Sequence, residues 1–552
     1  MQRLFHLILS LLIVFPSIIT AQIMIDGRKA LYDSRENVML ATVPQSVFNT
    51  SHRARIELED GWSNLKINGT KVTDYYTFSQ IKAGKTYAVT IQNPDQYVIT
   101  SDITFTFLPL VHLTGTFGYD YQDGMVSVIS PDDDTHLDMG GKVKWRGGST
   151  NTENKHKRNY KLKLNDDVQL FGLRNDNKWI LDAGQADLFR VRNRIATELW
   201  NDMCRKPYYA DKEPDALSGV RGRMVEVFLN KEYRGIYCLT ECMDRKELKL
   251  KKFDQKTGEI RGGLWKSKSY GISVMWNYPP PYDNKSETWD AFEVKYPELD
   301  DLPETDYSTL YNAIYFVRAS SDEEFRQHVA EYFDMPVLID YYIFLHAINA
   351  YDNRGKNMYW AVYDKTKEKK ITPAVWDLDG SVGQRWIDKN LGTTGAYTPD
   401  IVMDIGMYNY VRLENLNPDH FNEAVASRYN ELRKTVLSTD RLTARYMAYY
   451  DAMALSGAAQ REENLWSGDT DIDEEELNLE SEIYYITYWL TRHLQYLDEH
   501  KFKPSETPTD ITVPMVSAGQ ESPVFFNLKG QRMERPLERG IYIRNGRKYV
   551  VR

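Results

Sequence analysis

Between residues 22 and 112, apolar and polar side chains alternate in short runs: IDGRKALYD, RARIELED, WSNLKING, TYAVTIQN and VITSDITFTFLPLV, split by turns bearing Asn, Asp and Gly. A period of two with that punctuation predicts a small antiparallel β-sandwich domain. Residues 142–164 read as two strands joined by a Gly-containing loop, and 223–241 as a hairpin turning at Asn230-Lys231. Between them, 187–204 predicts a helix with Asp187 as its N-cap and Leu188, Val191, Ile195 and Leu199 along one face. From about residue 308 the pattern is mainly helical, including PVLIDYYIFLHAINA, and it returns to helix over 420–456 and 480–500. The stretch after Ala350 reads as a loop and strand pair inserted among those helices. Beyond about 505, KPSETPTDITVP is a Pro/Thr linker. PVFFNLKGQRMERPLERGIYIRNGRKYVVR then predicts two hairpins turning at Lys529-Gly530 and Asn545-Gly546.

The expected fold class is therefore α+β, in four parts: 1–21, 22–112, 113–505 and 506–552. A chain of 552 residues with 42% hydrophobic content is ample for several packed cores. The net charge of −10, with both signs well mixed, argues against a nucleic-acid partner. Arg3, an apolar run from Leu7 to Ile19 and Thr20-Ala21 read as a secretory signal peptide. The run is shorter than the roughly 20 residues that span a bilayer, and no second one follows, so a soluble, exported mature protein is expected. A secreted, surface or periplasmic location follows. Cys204, Cys238 and Cys242 allow at most one intrachain disulfide, with Cys238 and Cys242 the pair close in sequence. Buried thiols are the plainer reading.

The chemistry concentrates in YDNRGKNMYWAVYDKTKEKKITPAVWDLDGSVG, residues 351–383. Asp352 and Asn357 stand five apart, and Asp377 and Asp379 close an apolar run. A D-x-x-x-x-N loop followed by a later Asp after a strand is an arrangement that metal-dependent phosphoryl transfer uses. WDLDG is also a good turn in its own right.

Several further blocks occur in order: KWRGGST at 144–150, RNYKLKL at 158–164, KWILDAGQADLFRVRNRIATEL at 178–199 and VEVFLNKEYRGIYCLTE at 225–241. Together with the Asp352 segment they resemble the CotH kinase family of atypical protein kinases, over roughly residues 113–500. Two positions depart from the family pattern, Gly148 for an Asn and Lys231 for a Gly, and neither removes an acid or a lysine. The resemblance implies an atypical bilobal protein-kinase-like fold that takes ATP with Mg²⁺ or Mn²⁺. It implies Asp352 as the catalytic base, and Asn357 with Asp377 as metal ligands, Asp379 competing with Asp377. It favours Lys163 or Lys161 as the phosphate lysine, Glu198 as its ion-pair partner and Arg146 as a competitor. Gly147-Gly148-Ser149 could bring backbone N–H groups to phosphate, or be a plain hairpin turn.

The implied activity is phosphorylation of Ser or Thr hydroxyls on secreted or surface proteins. A catalytically silent surface protein retaining the fold is one alternative, and nucleotidyl transfer at the same site is another. Asp469, Asp471, Asp473 and Glu480 fall at positions 1, 3, 5 and 12 of an EF-hand loop, but Glu474 occupies the position that wants Gly. An acidic entry to the following helix is the simpler account. The last hairpins resemble tails that act as sorting signals in some exported bacterial proteins, or form a small structural β module.

Overall fold

The structure is a computed structural model. It describes residues 23–132, 136–148, 151–300, 302–384, 398–472 and 476–502, and the backbone of four short strands beyond. The expected signal peptide, Ser149, Asp473 and Glu474 lie outside the described residues. The fold is mixed α+β.

The N-terminal strands form a four-stranded sheet around Ile23–Ile25 and His52–Leu58 and a six-stranded one around Tyr87–Gln92 and Val98–Thr106. The predicted alternation holds: Tyr87, Val89 and Ile91 are buried while Ala88 is exposed.

A closed seven-stranded barrel follows. Its strands, in spatial order, are Leu110–Thr114, Gln122–Ile129, His136–Arg146, Asn159–Gln169, Asn175–Asp182, Glu232–Thr240 and Gly222–Leu229. The last pairs in parallel with the first and closes the ring. Leu110–Thr114, which the sequence pattern divides at residue 112, lies wholly within the barrel. Val143, Leu162, Leu164, Trp179 and Leu181 fill the interior. The intervening residues therefore face outward, and cross-strand register puts Lys142 beside Lys163, Lys144 beside Lys161, and Lys163 beside Lys178.

The helix after the barrel strands runs Arg192–Met203, and its N-cap is Val191, not Asp187. Arg190 at φ 70° breaks the helical path between them. Asp187 instead pins the approach, accepting from the backbone N–H of Phe189 at 2.8 Å and of Arg192 at 2.7 Å.

The second half is mainly helical. Met335–Ile348 is buried from Val337 to Ile348, apolar almost all round as a central helix must be. A five-stranded sheet lies beside it, ordered Thr288–Trp289, Phe292–Tyr296, Gly263–Ser267, Met358–Val362 and Thr372–Val375. Helices Phe421–Arg433, Thr439–Leu455, Ala458–Trp466 and Leu479–His500 complete it. Among the described residues no helix is long and apolar enough to cross a membrane.

One buried charge cluster joins these helices to the barrel. Glu462 accepts from Lys157 Nζ at 2.7 Å, from Arg190 Nε at 2.7 Å and from the backbone N–H of Ile236 at 2.7 Å. Gly235, at φ 89°, makes room for it, since a Cβ there would stand 2.0 Å from Glu462 Oε2. All three cysteines are free, with Cys238 and Cys242 buried. In the tail, Phe525–Phe526 pairs with Arg532–Met533 and Gly540–Arg544 with Arg547–Val551.

Candidate active site

Helix Met335–Ile348 ends at Asn349 in the left-handed region, which turns the chain into a short 3-10 turn at Tyr351–Asn353. Asp352 projects from that turn. The buried Asn353 amide binds the carbonyls of Asn357 at 2.9 Å and Trp376 at 2.7 Å, fixing the loop to the end of the Thr372–Val375 strand. Asn357 is itself left-handed at φ 50°, and its amide donates to Asp352 Oδ2 at 2.9 Å. Lys356 Nζ reaches both Asp352 oxygens, at 3.0 and 2.8 Å, and the Tyr270 hydroxyl donates to Oδ1 at 3.1 Å. The D-x-x-x-x-N spacing thus closes on itself: the two ends are hydrogen-bonded.

The strand stops at Val375, and Asp377 sits at φ 58°. Asp377 and Asp379 therefore do not share a strand face; they flank the buried Leu378 on a turn. The N–H of Leu378 donates to Asn193 Oδ1 at 3.0 Å, and Asn193 donates to Asp182 Oδ2 at 2.6 Å. Through Asn193 the barrel strand end, the following helix and the Asp377 turn form one acidic corner. Burial pushes the Asp379 carboxyl well above its usual range, with Asp377 and then Asp182 adding to it. Burial also raises Asp377, while Lys266 and Arg146 oppose. Asp377 is the more exposed of the two. Asp379 accepts from the Gly380 N–H at 2.9 Å, whereas Asp377 makes no side-chain hydrogen bond among the described residues.

Arg146, Asp182, Asn193, Trp376 and Asp377 line one crevice between the barrel and the helical half. Arg146 lies over the Trp376 ring at 5.3 Å and Lys266 at 5.6 Å. Burial pulls the Lys266 ammonium down and the Asp377 charge pulls it back up. Lys161 is half-buried and lowered by burial, with Lys178 and Lys295 among its neighbours. Lys163 is exposed. Of the expected cations, Arg146 stands at the acids; Lys161 and Lys163 belong to a basic outer barrel face. The expected ion pair of Glu198 with either lysine is not formed among the described residues. Glu198 accepts from the Tyr449 hydroxyl at 2.5 Å and lies 3.4 Å from Arg194 Nε, because its helix turns that face toward Thr439–Leu455.

Asp182, Asn193, Lys266 and Tyr270 were not singled out from sequence. Asp182 and Asn193 lie inside the WILD and RNR patterns of residues 179–194, which was the signal available for them. Lys266 and Tyr270 carried none.

The hard oxygen donors of Asp377, Asp379 and Asn357 suit Mg²⁺, which is commonly held by one or two carboxylates with substrate phosphates and water supplying the rest. Asp182, Asp377 and Asp379 do not converge as a closed cage. Among the described residues, the trio that brings three donor atoms within 4.8 Å is His156, Asp469 and Asp471. There, however, Asp471 accepts from the backbone N–H groups of His156 and Lys157 at 2.7 and 2.8 Å, and Asp469 pairs with His156 at 2.9 Å. Glu480 lies in the first turn of helix Leu479–His500.

No curated protein matches the chain. A family model described as CotH kinase protein matches residues 143–497, most of the chain, which thus belongs to the CotH kinase family.

Proposed function

We propose that this protein is an exported protein kinase that transfers the γ-phosphoryl group of ATP, with Mg²⁺ or Mn²⁺, to Ser or Thr hydroxyls of secreted or surface proteins. The observation that carries the reading is Asp352, oriented by Asn357 and Lys356, together with an exposed Asp377 in a crevice that also holds Arg146, with the Lys266 charge acting on Asp377. In this reading the barrel and the helical half are the two lobes of a kinase-like fold, and residues 22–112 form a β-sandwich beside them.

Asp352 receives the acceptor's proton, and its hydrogen bonds to Asn357 and Lys356 fix the carboxylate's direction. Arg146 and Lys266 neutralise phosphate charge beside Trp376. Asp377, Asp379 and Asn357 would hold the divalent ion. When bound, that ion supplies charge neutralisation at the β- and γ-phosphates.

The test is incubation of residues 22–552 with γ-labelled and, separately, α-labelled ATP plus Mg²⁺ or Mn²⁺ and a generic protein acceptor, alongside Asp352→Asn and Asp377→Asn. Transfer of γ-label alone, lost in both variants, supports the kinase. Transfer of α-label means nucleotidylation, and no transfer with no nucleotide binding leaves a silent surface protein.

A further inference from the structure

Asp352 has four hydrogen bonds, and one differs in origin from the rest. Lys356 and Asn357 belong to the loop of Asp352 itself, whereas the Tyr270 hydroxyl reaches Oδ1 from a neighbouring segment 82 residues earlier. An acceptor hydroxyl must sit within about 2.6–3.2 Å of the base that takes its proton. Tyr270 Oη, at 3.1 Å, occupies such a position.

The root of this side chain is fixed, and its end is held by the bond to Asp352 and by Lys356 over its ring at 5.9 Å. Ser269 O accepts from the Ser273 hydroxyl at 2.8 Å, and Asp290 accepts from the Ile272 N–H at 3.2 Å. Gly271 at φ 109° leaves no room for a side chain, since a Cβ there would meet Asp290 Oδ1 at 2.7 Å. Tyr270 itself is 42% exposed. Rotation of one surface side chain would vacate the place without moving backbone.

Resting on the kinase reading above, we propose that Tyr270 holds the acceptor place on Asp352, excluding water from the base until a protein hydroxyl displaces it. It is a specificity device against water. Without it, a water on Oδ1 would give its proton to Asp352 as its oxygen attacks the γ-phosphorus. The bond from that phosphorus to the β-phosphate bridging oxygen breaks, ADP leaves with the electron pair, and inorganic phosphate forms; Asp352 then returns the proton to solvent. Excluding water from reactive groups is a recognised use of active-site closure. Burial and the Asp352 charge push the Tyr270 phenol up to about 12, so it remains a donor at neutral pH.

The experiment measures ADP release from ATP and Mg²⁺ by residues 22–552 without protein acceptor, for wild type, Tyr270→Phe and Tyr270→Ala. Both variants are expected to hydrolyse ATP about tenfold faster or more, with Asp352→Asn in the Tyr270→Phe background returning the rate to baseline. Thermal melts and ATP binding check that the variants are folded. If wild type transfers γ-label to a generic acceptor but hydrolysis in both variants is unchanged or slower, the proposal is overturned. If wild type transfers no label at all, the kinase reading falls and this inference with it.

Discussion

Two stretches of this chain carry closely spaced carboxylates, Asp352 to Asp379 and Asp469 to Glu480, and the fold puts them to different uses. In the first, Asn353 and Asn193 bind the backbone, so the Asp377 carboxylate is left lining a crevice and Asp352 bonds side chains only. In the second, the carboxylates do the binding themselves: Asp471 holds two backbone N–H groups and Asp469 holds His156. The lesson is that a carboxylate is available for chemistry where neighbouring amides have already satisfied the main chain.

The contrast breaks most plainly by exchange of single charges. Asp377→Asn is expected to reduce γ-label transfer by about 10³-fold or more, the scale of a lost electrostatic contact to a transferring phosphoryl group. Asp471→Asn should keep transfer and instead lower stability by about 1–3 kcal/mol, read by urea unfolding. Glu462→Gln extends the structural side: with Lys157 and Arg190 left buried without their counter-charge, a loss of about 3–5 kcal/mol is expected in the same unfolding measurement. Asp182→Asn sharpens the chemical side, raising the Mg²⁺ concentration for half-maximal transfer about tenfold, as loss of a supporting group near a metal does.

The smallest effect is a pH dependence at a third carboxylate. Burial, with Glu241 nearby, pushes Glu247 up to about 8 although Arg174 opposes. The folded protein then keeps a proton that the unfolded chain releases near its ordinary range. The contribution of Glu247 to stability is therefore full at low pH and falls as pH rises through about 8. Glu247→Gln should gain on wild type by a few degrees in Tm between pH 5 and pH 9, measured by thermal melts.

Whereas Gln122–Ile129 and Asn175–Asp182 were not read as strands, the helices and the barrel strands within 142–164 and 223–241 were legible because each shows over a local window. The Asp352–Asn357 loop was legible for the same reason: five residues suffice to bring its ends together. The strand lysines were half legible, since period two puts Lys161 and Lys163 on one face, but only barrel closure decides that Arg146 stands nearer the acids. Asp182, Asn193 and Lys266 reach Asp377 across separations of more than a hundred residues, which no window holds. Asp187 misled because N-cap chemistry was recognised without the left-handed Arg190 that delays the helix to Arg192. Glu198 misled because helical spacing gives a face without saying what the face meets.

The cluster at Glu462 has a consequence for how the chain comes to be folded. Lys157 and Arg190 belong to segments synthesised roughly three hundred residues before the carboxylate that neutralises them. A barrel emerging alone would have to keep that edge open to water, since neither cation can be buried unpaired. The barrel is therefore expected to stay open along this edge until residue 462 is made, and a chain truncated ahead of that residue should be cut there faster by protease.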